Sequence, residues 1–311
     1  MKIKYNFIIY GSSDITNYHI EALKTFKNVN ILGIHTKNKI KGENISKKHN
    51  IKFISDLNCN EVNLANSALI TSSTSTHLDY IVSLKNICKF LFVEKPIVKS
   101  KQDFEILRKV AEENKIFVKE ISFFHKIYTP FFCDEINVKV EKCRSLKDFH
   151  DFKGEINKYK SPIFNHLPHY YDLAYNFLNG NLELQKYELL DYYKELKMFR
   201  KINLKFKNFE NKVANISIDT SSKINKTQIY FDNNKKYLKF LFHFINFFIN
   251  KFNIYSLLNK YKKIKLIKMY NYFFNEIKLN QSNYMNNLKN KVDVLEFLNK
   301  ETEKLIPNEK K

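Results

Sequence analysis

Two short stretches of the sequence place charged or titratable side chains where proton-transfer chemistry could occur. In the first, FLFVEKPIVKS, an apolar run ends on Glu94 and Lys95, and Pro96 follows directly. A charged pair at the end of a buried strand costs free energy unless it binds something. Pro96 restricts Lys95 to extended backbone and admits a cis peptide bond. Held in this way, the Lys95 ammonium can bond a substrate hydroxyl and stabilise it as an alkoxide develops.

The second stretch is SPIFNHLPHYYDLAYNFL, in which His169 and Asp172 are three residues apart. At this spacing both side chains lie on one face of a helix. A histidine there can accept a hydroxyl proton while the carboxylate orients it or binds substrate. An isolated His-x-x-Asp pair is nevertheless more often structural than catalytic. His166 and His169 also have a spacing that suits a metal ion, but no third ligand is evident and Pro168 separates them, so we predict no metal site.

The turn in IIYGSSDITNYHIEAL follows the first apolar run and precedes a helical pattern. A dinucleotide fold needs glycines here, because the backbone must approach a pyrophosphate at the helix N-terminus. Gly11 is in its expected place, whereas Ser13 and Thr16 stand where the second and third glycines would be. The segment therefore predicts either a phosphate-binding turn, with hydroxyls and amides as donors, or an ordinary strand–helix turn.

Two further turns after predicted strands carry polar residues. After the second strand the chain has Thr36 and Lys37 and no carboxylate. A carboxylate there would accept the adenosine ribose hydroxyls of NAD, so this pair favours the ribose phosphate of NADP, with a plain surface loop as the alternative. The third turn, in ALITSSTSTHLDYIVSL, places small hydroxylated residues before His77, which begins a helix.

The first 120 residues alternate between apolar runs and helical spacing. Strands are predicted at residues 5–10, 29–35, 51–54, 67–72, 90–93 and 116–118, and helices at 15–26, 45–49, 77–85 and 101–114. Buried strands alternating with helices predict an α/β fold with a doubly wound parallel sheet. In such sheets ligands bind at the carboxyl ends of the strands, which is where Glu94 and Lys95 lie.

The pattern changes after residue 120, so we predict two domains, residues 1–120 and 121–311. Strands are predicted at 139–140, 154–157, 203–206, 213–218 and 227–231, with a helix over 168–178 and a mainly helical stretch from 237 to 279. Several of these strands alternate between apolar and polar residues. The second domain is therefore predicted to be α+β, with an open, mainly antiparallel sheet.

Composition limits the class of protein. The chain of 311 residues is 44% hydrophobic, which is enough for two domains with cores, and its net charge is +21. The lysines are spread along the whole chain and no nucleic-acid-binding motif accompanies them, so we interpret the charge as solvated surface and predict no nucleic-acid partner. The four cysteines have no disulfide or zinc spacing, which favours reduced thiols and a cytoplasmic location.

The aromatic stretch over residues 237–258 has three interpretations. It is a membrane-surface helix, an oligomer interface, or a segment packed within the chain. Its apolar residues spread around much of a helix and lysines flank it. A helix that is apolar over most of its circumference is more often buried in protein than laid on lipid. We therefore predict protein packing, within the chain or in a homo-oligomer, and no membrane contact.

Taken together, these segments resemble the Gfo/Idh/MocA family, the group of glucose–fructose oxidoreductase and inositol dehydrogenase. The resemblance rests on the turn at Gly11, on ITSSTSTH, VEKPIVKS and NHLPHYYD, and on MYNYFFNEI and NKVDVLEFL as closing helices. It implies a Rossmann domain followed by an α+β domain that binds substrate and associates into homo-oligomers. It also implies hydride transfer between NAD or NADP and a sugar carbon, with a nucleotide sugar of bacterial surface-glycan biosynthesis as one candidate substrate.

The resemblance also assigns roles to individual residues. It implies that Lys95 and His169 are the catalytic pair, and that Asp172, Asn165 and His166 bind substrate. The residues that it assigns to the cofactor are Gly11, Ser12, Ser13, Asp14, Ile15, Thr36, Lys37, Ser72, His77, Glu94 and Lys95.

The sequence departs from the family pattern at several of these positions. Two glycines of the nucleotide turn are replaced, Asn165 stands where many members carry Asp, and Leu167 and Ser73 replace a common Gly and Pro. The alternative function is therefore a catalytically impaired relative that binds a sugar or a partner protein.

Overall fold

A computed structural model of the protein describes residues 3–98, 100–122, 132–143, 163–193, 198–231, 254–279 and 284–304. The chain forms two compact units. Unit 1 comprises Met1–Phe123 and Asn253–Met285, and unit 2 comprises Phe124–Phe252 and Asn286–Lys311. The predicted second domain, residues 121–311, is thus corrected, because residues 253–285 return to the first unit. Leu266, Tyr270 and Phe273 in this segment are part of the apolar core of unit 1.

Unit 1 contains a five-stranded parallel sheet in the order β2-β1-β3-β4-β5. Its strands are β1 (Tyr5–Tyr10), β2 (Val29–His35), β3 (Ser67–Ile70), β4 (Phe90–Glu94) and β5 (Phe117–Ile121). Its helices are α1 (Asp14–Leu23), α2 (Lys39–His49), α3 (Asn60–Asn63), α4 (His77–Leu84), α5 (Lys101–Glu113) and, later in the chain, α7 (Ile254–Lys278). This architecture confirms the predicted doubly wound α/β fold.

Local sequence explains most of these boundaries. Every residue of β3 is buried, as a strand covered on both faces requires. The Ser100 hydroxyl accepts the Asp103 N–H at 3.0 Å and so begins α5. Helix α2 begins six residues earlier than predicted, because Asn38 caps it by accepting the Lys41 N–H. The predicted strand at 51–54 is wrong in extent, since only Phe53 forms a bridge, to β2.

Unit 2 contains a second five-stranded sheet, in the order β10-β6-β9-β8-β7. Its strands are β6 (Glu135–Cys143), β7 (Glu183–Tyr193), β8 (Met198–Lys207), β9 (Val213–Asp219) and β10 (Ser221–Phe231), and its described helices are α6 (Ile163–Leu178) and α8 (Tyr284–Lys304). The β6–β9 pair is parallel and the other three pairs are antiparallel. The predicted mainly antiparallel α+β unit is therefore confirmed.

The core of unit 2 lies between one face of this sheet and helices α6 and α8. Along β9, Ala214, Ile216 and Ile218 alternate with polar residues and are buried. The predicted strand at 154–157 and residues 237–253 of the aromatic stretch lie outside the described residues. Among the helices of the described ranges, none has the length and apolar character needed to cross a membrane.

Candidate functional site

The carboxyl ends of β1, β3 and β4 form the edge of the parallel sheet at which a ligand is expected. The strand order places β2 on one side of β1 and β3 on the other, so the direction of the chain connections reverses between β1 and β3. A doubly wound sheet binds its ligand in the crevice at such a reversal. Gly11 follows β1, Thr71 and Ser72 follow β3, and Lys95 follows β4.

Gly11 is required where the turn after β1 meets the loop after β3. Its φ of +111° disfavours any residue with a side chain. A Cβ at this position would lie 2.4 Å from the Ser72 backbone nitrogen. The Gly11 N–H also donates to the His35 carbonyl at 2.8 Å, which ties the turn to β2. One residue thus brings the polar ends of three strands together.

Thr16 occupies the place of the third glycine and connects helix α1 to β3. Its hydroxyl is fully buried and lies 2.7 Å from the Thr71 hydroxyl. The Thr71 N–H in turn donates to the Tyr10 carbonyl at 2.7 Å. The close helix–strand packing that a glycine would give is therefore replaced here by a buried hydroxyl pair.

The start of α1 offers donors that suit a phosphate group. Ser13 is the N-cap residue, is exposed, and makes no side-chain capping bond to the helix. Its hydroxyl lies 3.2 Å from that of Thr16 instead. Hydroxyls and first-turn amides are the donors that a pyrophosphate needs, and in this respect the turn fits a dinucleotide. Asp14, exposed in the first turn, is the exception, because its carboxylate would repel an anion.

The end of β2 carries the residues expected beside the adenosine ribose. The Thr36 hydroxyl lies 3.0 Å from that of Ser12. The Asn38 backbone N–H donates to the Thr36 hydroxyl at 3.3 Å. Lys37 is exposed beside this group. The structure thus places hydroxyls and a cation, and no carboxylate from residues 35–38, next to the glycine turn.

His77 connects the loop after β3 to the segment after β4. Its Nε2 lies 2.9 Å from the Ser72 carbonyl oxygen, and its Nδ1 lies 3.1 Å from that of Pro96. The ring is buried, and burial lowers the pKa of His77 below its usual value. This geometry indicates that His77 fixes the two loops, while its assignment to the cofactor stays a prediction.

Glu94 and Lys95 lie at the end of β4, and the Lys95–Pro96 peptide is cis. The two Glu94 carboxylate oxygens are both engaged, one by the His19 side chain and one by the Lys95 backbone N–H. Just beyond, the Ile97 N–H donates to the buried Glu120 carboxylate at 2.8 Å. Two carboxylates therefore hold the backbone here, that of Glu94 at the Lys95 N–H and that of Glu120 at the Ile97 N–H.

Helix α6 of unit 2 carries the second group of predicted site residues. His166 and His169 are half-buried on this helix, and the side chain of Asn165 lies outside the described part. Asp172 is buried, 1% exposed, and its carboxylate lies 2.5 Å from the Lys291 ammonium of α8. This ion pair connects α6 to α8, and the assignment of Asp172 to substrate stays a prediction. Lys95 and His169 lie in different units, and their pairing stays a prediction.

Sequence reasoning missed the residues that support this site. His19, Tyr270 and Lys291 are all fully or almost fully buried and contact predicted site residues or their partners. The available signal was a polar side chain on the apolar face of a helix, as for His19 on α1. Within the described ranges, no group of three or more His, Cys, Asp or Glu residues could hold a metal ion.

Comparisons with solved structures show that other proteins share this fold. An oxidoreductase from Agrobacterium radiobacter, solved with NAD+, L-tartaric acid and magnesium, superimposes with a TM-score of 0.69 at 11% identity, over 94% of each chain. The dehydrogenase MviM from Clostridium difficile gives 0.68 at 15% identity, over 96% of this chain and 99% of its own.

A third similar structure contains a nucleotide sugar. The WlbA dehydrogenase from Bordetella pertussis, in complex with NADH and UDP-GlcNAcA, gives a TM-score of 0.61 at 12% identity, over 74% of this chain and 76% of its own. No curated protein sequence matches the chain. The sequence model of the oxidoreductase family with an NAD-binding Rossmann fold, GFO_IDH_MocA, matches residues 5–120. Residues 5–120 therefore match the NAD-binding Rossmann domain of the GFO_IDH_MocA family of oxidoreductases.

Proposed function

We propose that the protein is an NAD(P)-dependent oxidoreductase that transfers hydride to or from a sugar carbon. The observation that carries the proposal is the arrangement at the switch point of the parallel sheet. There, Gly11 brings the donor-rich turn after β1 against the loop after β3, and Lys95 follows the neighbouring strand. The match of residues 5–120 to the NAD-binding Rossmann model of this family supports a nicotinamide cofactor.

The proposed mechanism assigns a separate task to each catalytic residue. When a substrate alcohol is oxidised, the Lys95 ammonium hydrogen-bonds the substrate oxygen and stabilises its developing negative charge. His169 accepts the hydroxyl proton on its neutral imidazole. Bound nicotinamide would supply or take up the hydride at the neighbouring carbon. In the reductive direction the same two residues deliver the proton and hold the oxygen.

A nucleotide sugar is the finer proposal for the substrate. Structures that share the fold include a UDP-N-acetylglucosamine 3-dehydrogenase and the WlbA dehydrogenase with UDP-GlcNAcA. The net charge of +21 supports attraction of a diphosphate-bearing substrate. The proposal also includes a preference for NADP, because Thr36 and Lys37 take the place of an acidic residue beside the ribose.

Turnover of a panel of UDP- and dTDP-sugars with each cofactor tests this proposal. We expect Lys95→Met to lower kcat by about 100-fold or more, as loss of an electrostatic stabiliser does. Lys89→Met is the matched control, since Lys89 is exposed and directly precedes the same strand, at the end opposite Lys95. In alcohol oxidation, the rate should rise with pH around the usual histidine pKa of about 6.5, and His169→Asn should remove that rise.

The alternative function predicts a different result. A protein that only binds a sugar or a partner would bind that ligand saturably, but it would not turn over the sugar with either cofactor. Activity that is unchanged in Lys95→Met would also contradict the proposed mechanism.

A further inference from the structure

A buried chain of polar groups runs from helix α7 to the end of β4. The Tyr270 hydroxyl lies 2.7 Å from His19 Nδ1, and His19 Nε2 lies 2.9 Å from Glu94 Oε1. The Lys95 backbone N–H donates to the other carboxylate oxygen, Glu94 Oε2, at 3.2 Å. Both Tyr270 and His19 are 0% exposed. Three segments that are distant in sequence thus meet at the carboxylate next to Lys95.

The burial of Tyr270 keeps its phenol protonated and available as a donor in this chain. Burial and the neighbouring Glu94 charge raise the pKa of Tyr270 well above its usual value. The phenol keeps its proton and can donate it to His19 Nδ1. In the tautomer that accepts this bond, the imidazole proton is on Nε2 and is donated to Glu94 Oε1. Each donor has one acceptor, so the carboxylate is held in a single orientation.

We propose that His19 and Tyr270 are positioning residues for Lys95. They act through Glu94: with Oε1 held by His19, Oε2 is directed at the Lys95 backbone N–H and fixes the end of β4. The catalytic consequence rests on the proposed function, in which Lys95 stabilises the substrate oxygen. The positional consequence does not, because it concerns only the backbone at Lys95.

Three variants distinguish the effect of losing the hydrogen bonds from the effect of losing side-chain packing. Tyr270→Phe removes one hydroxyl and keeps the ring, which lies edge-on to Phe92 with centroids 5.7 Å apart. His19→Leu removes both bonds. His19→Gln keeps an N–H donor close to the position of Nε2, so it should restore the bond to Glu94.

Tyr5→Phe is the matched control. Tyr5 is also 0% exposed and lies in the same apolar cluster as Tyr270, but its hydroxyl has no hydrogen-bond partner among the residues that the structure describes. The control therefore removes a buried phenol oxygen without touching the chain to Glu94. We expect it to leave both the Lys95 backbone and turnover unchanged.

Amide hydrogen exchange at Lys95 tests the positional claim without any need for turnover. In protein labelled with 15N-lysine, the Lys95 amide is the signal that is absent from Lys95→Arg. We expect its exchange to be about tenfold faster in Tyr270→Phe and His19→Leu, which corresponds to one lost hydrogen bond. It should stay at the wild-type rate in Tyr5→Phe and near it in His19→Gln.

Steady-state kinetics test the catalytic consequence. We expect kcat to fall about tenfold in Tyr270→Phe and His19→Leu, with the KM for the cofactor changed by less than about twofold, and His19→Gln to recover most of the activity. If the wild type lacks turnover while the exchange rates change as described, the proposed function has failed and the positioning role stands. Exchange at Lys95 that is the same in wild type, Tyr270→Phe and His19→Leu overturns the inference.

Discussion

Replacing Gly11 with alanine tests whether the carboxyl-end edge of the parallel sheet requires a residue without a side chain at this position. The φ of +111° is the first source of cost, because a left-handed conformation disfavours alanine by about 1–2 kcal/mol. The second is steric: the new Cβ would lie 2.4 Å from Ser72 N and 2.6 Å from the Thr71 carbonyl carbon. Both are backbone atoms, so the loop after β3 must move, at a cost of about 1–3 kcal/mol.

We therefore expect Gly11→Ala to lower the free energy of unfolding by about 2–5 kcal/mol, measured by urea denaturation followed by circular dichroism. Gly180→Ala is the control. Its Cβ would contact the Phe209 ring at 2.9 Å, but Phe209 is 76% exposed and can move aside. A loss in Gly11→Ala no larger than in Gly180→Ala would refute the assignment of Gly11 as a steric requirement of the edge.

Three further predictions concern buried titratable groups. Lys291→Met leaves the Asp172 carboxylate buried without its ion partner, so urea denaturation should show a loss of about 3–5 kcal/mol, partly recovered by adding Asp172→Asn. Burial raises the pKa of Cys88 to about 12, so this thiol should react with a disulfide reagent at pH 8 only after unfolding. Burial lowers the pKa of His77 in the folded protein, so the same histidine takes up a proton at a higher pH in the unfolded chain. The free energy of unfolding should therefore decrease as the pH falls from 7 through about 6.5, and the decrease should be smaller in His77→Asn.

The sequence predicted the fold of unit 1 closely because its strands are buried on both faces. Continuous apolar runs such as Tyr5–Tyr10 have few other interpretations when helices alternate with them. Unit 2 was harder. The strand Glu183–Tyr193 was missed, because its sequence, ELQKYELLDYY, mixes charged and apolar residues without clear alternation. Among the described strands it pairs with β8 alone, at the edge of the sheet, and an edge position tolerates that composition.

The candidate site could be predicted from the sequence only in part, because several of its residues have partners that are distant in the chain. The turn at Gly11 and the residues after β4 were identifiable from local pattern, since their chemistry depends on neighbours in the chain. Tyr270 contacts His19 across 251 positions, and Lys291 meets Asp172 from a different helix. No periodicity of either segment encodes such a pair. For the same reason, the interpretation of Asp172 as a substrate ligand could not take its ion partner into account.

Titration with reduced nicotinamide cofactors, followed by their fluorescence, tests the central claim most directly. The account predicts saturable binding of NADPH, weaker binding of NADH, and a reversal of that preference in Thr36→Asp, because a carboxylate at this position repels the ribose phosphate and accepts ribose hydroxyls. Gly11→Ala should weaken the binding of both. If neither cofactor binds saturably at millimolar concentrations to the folded protein, the proposed oxidoreductase function is wrong.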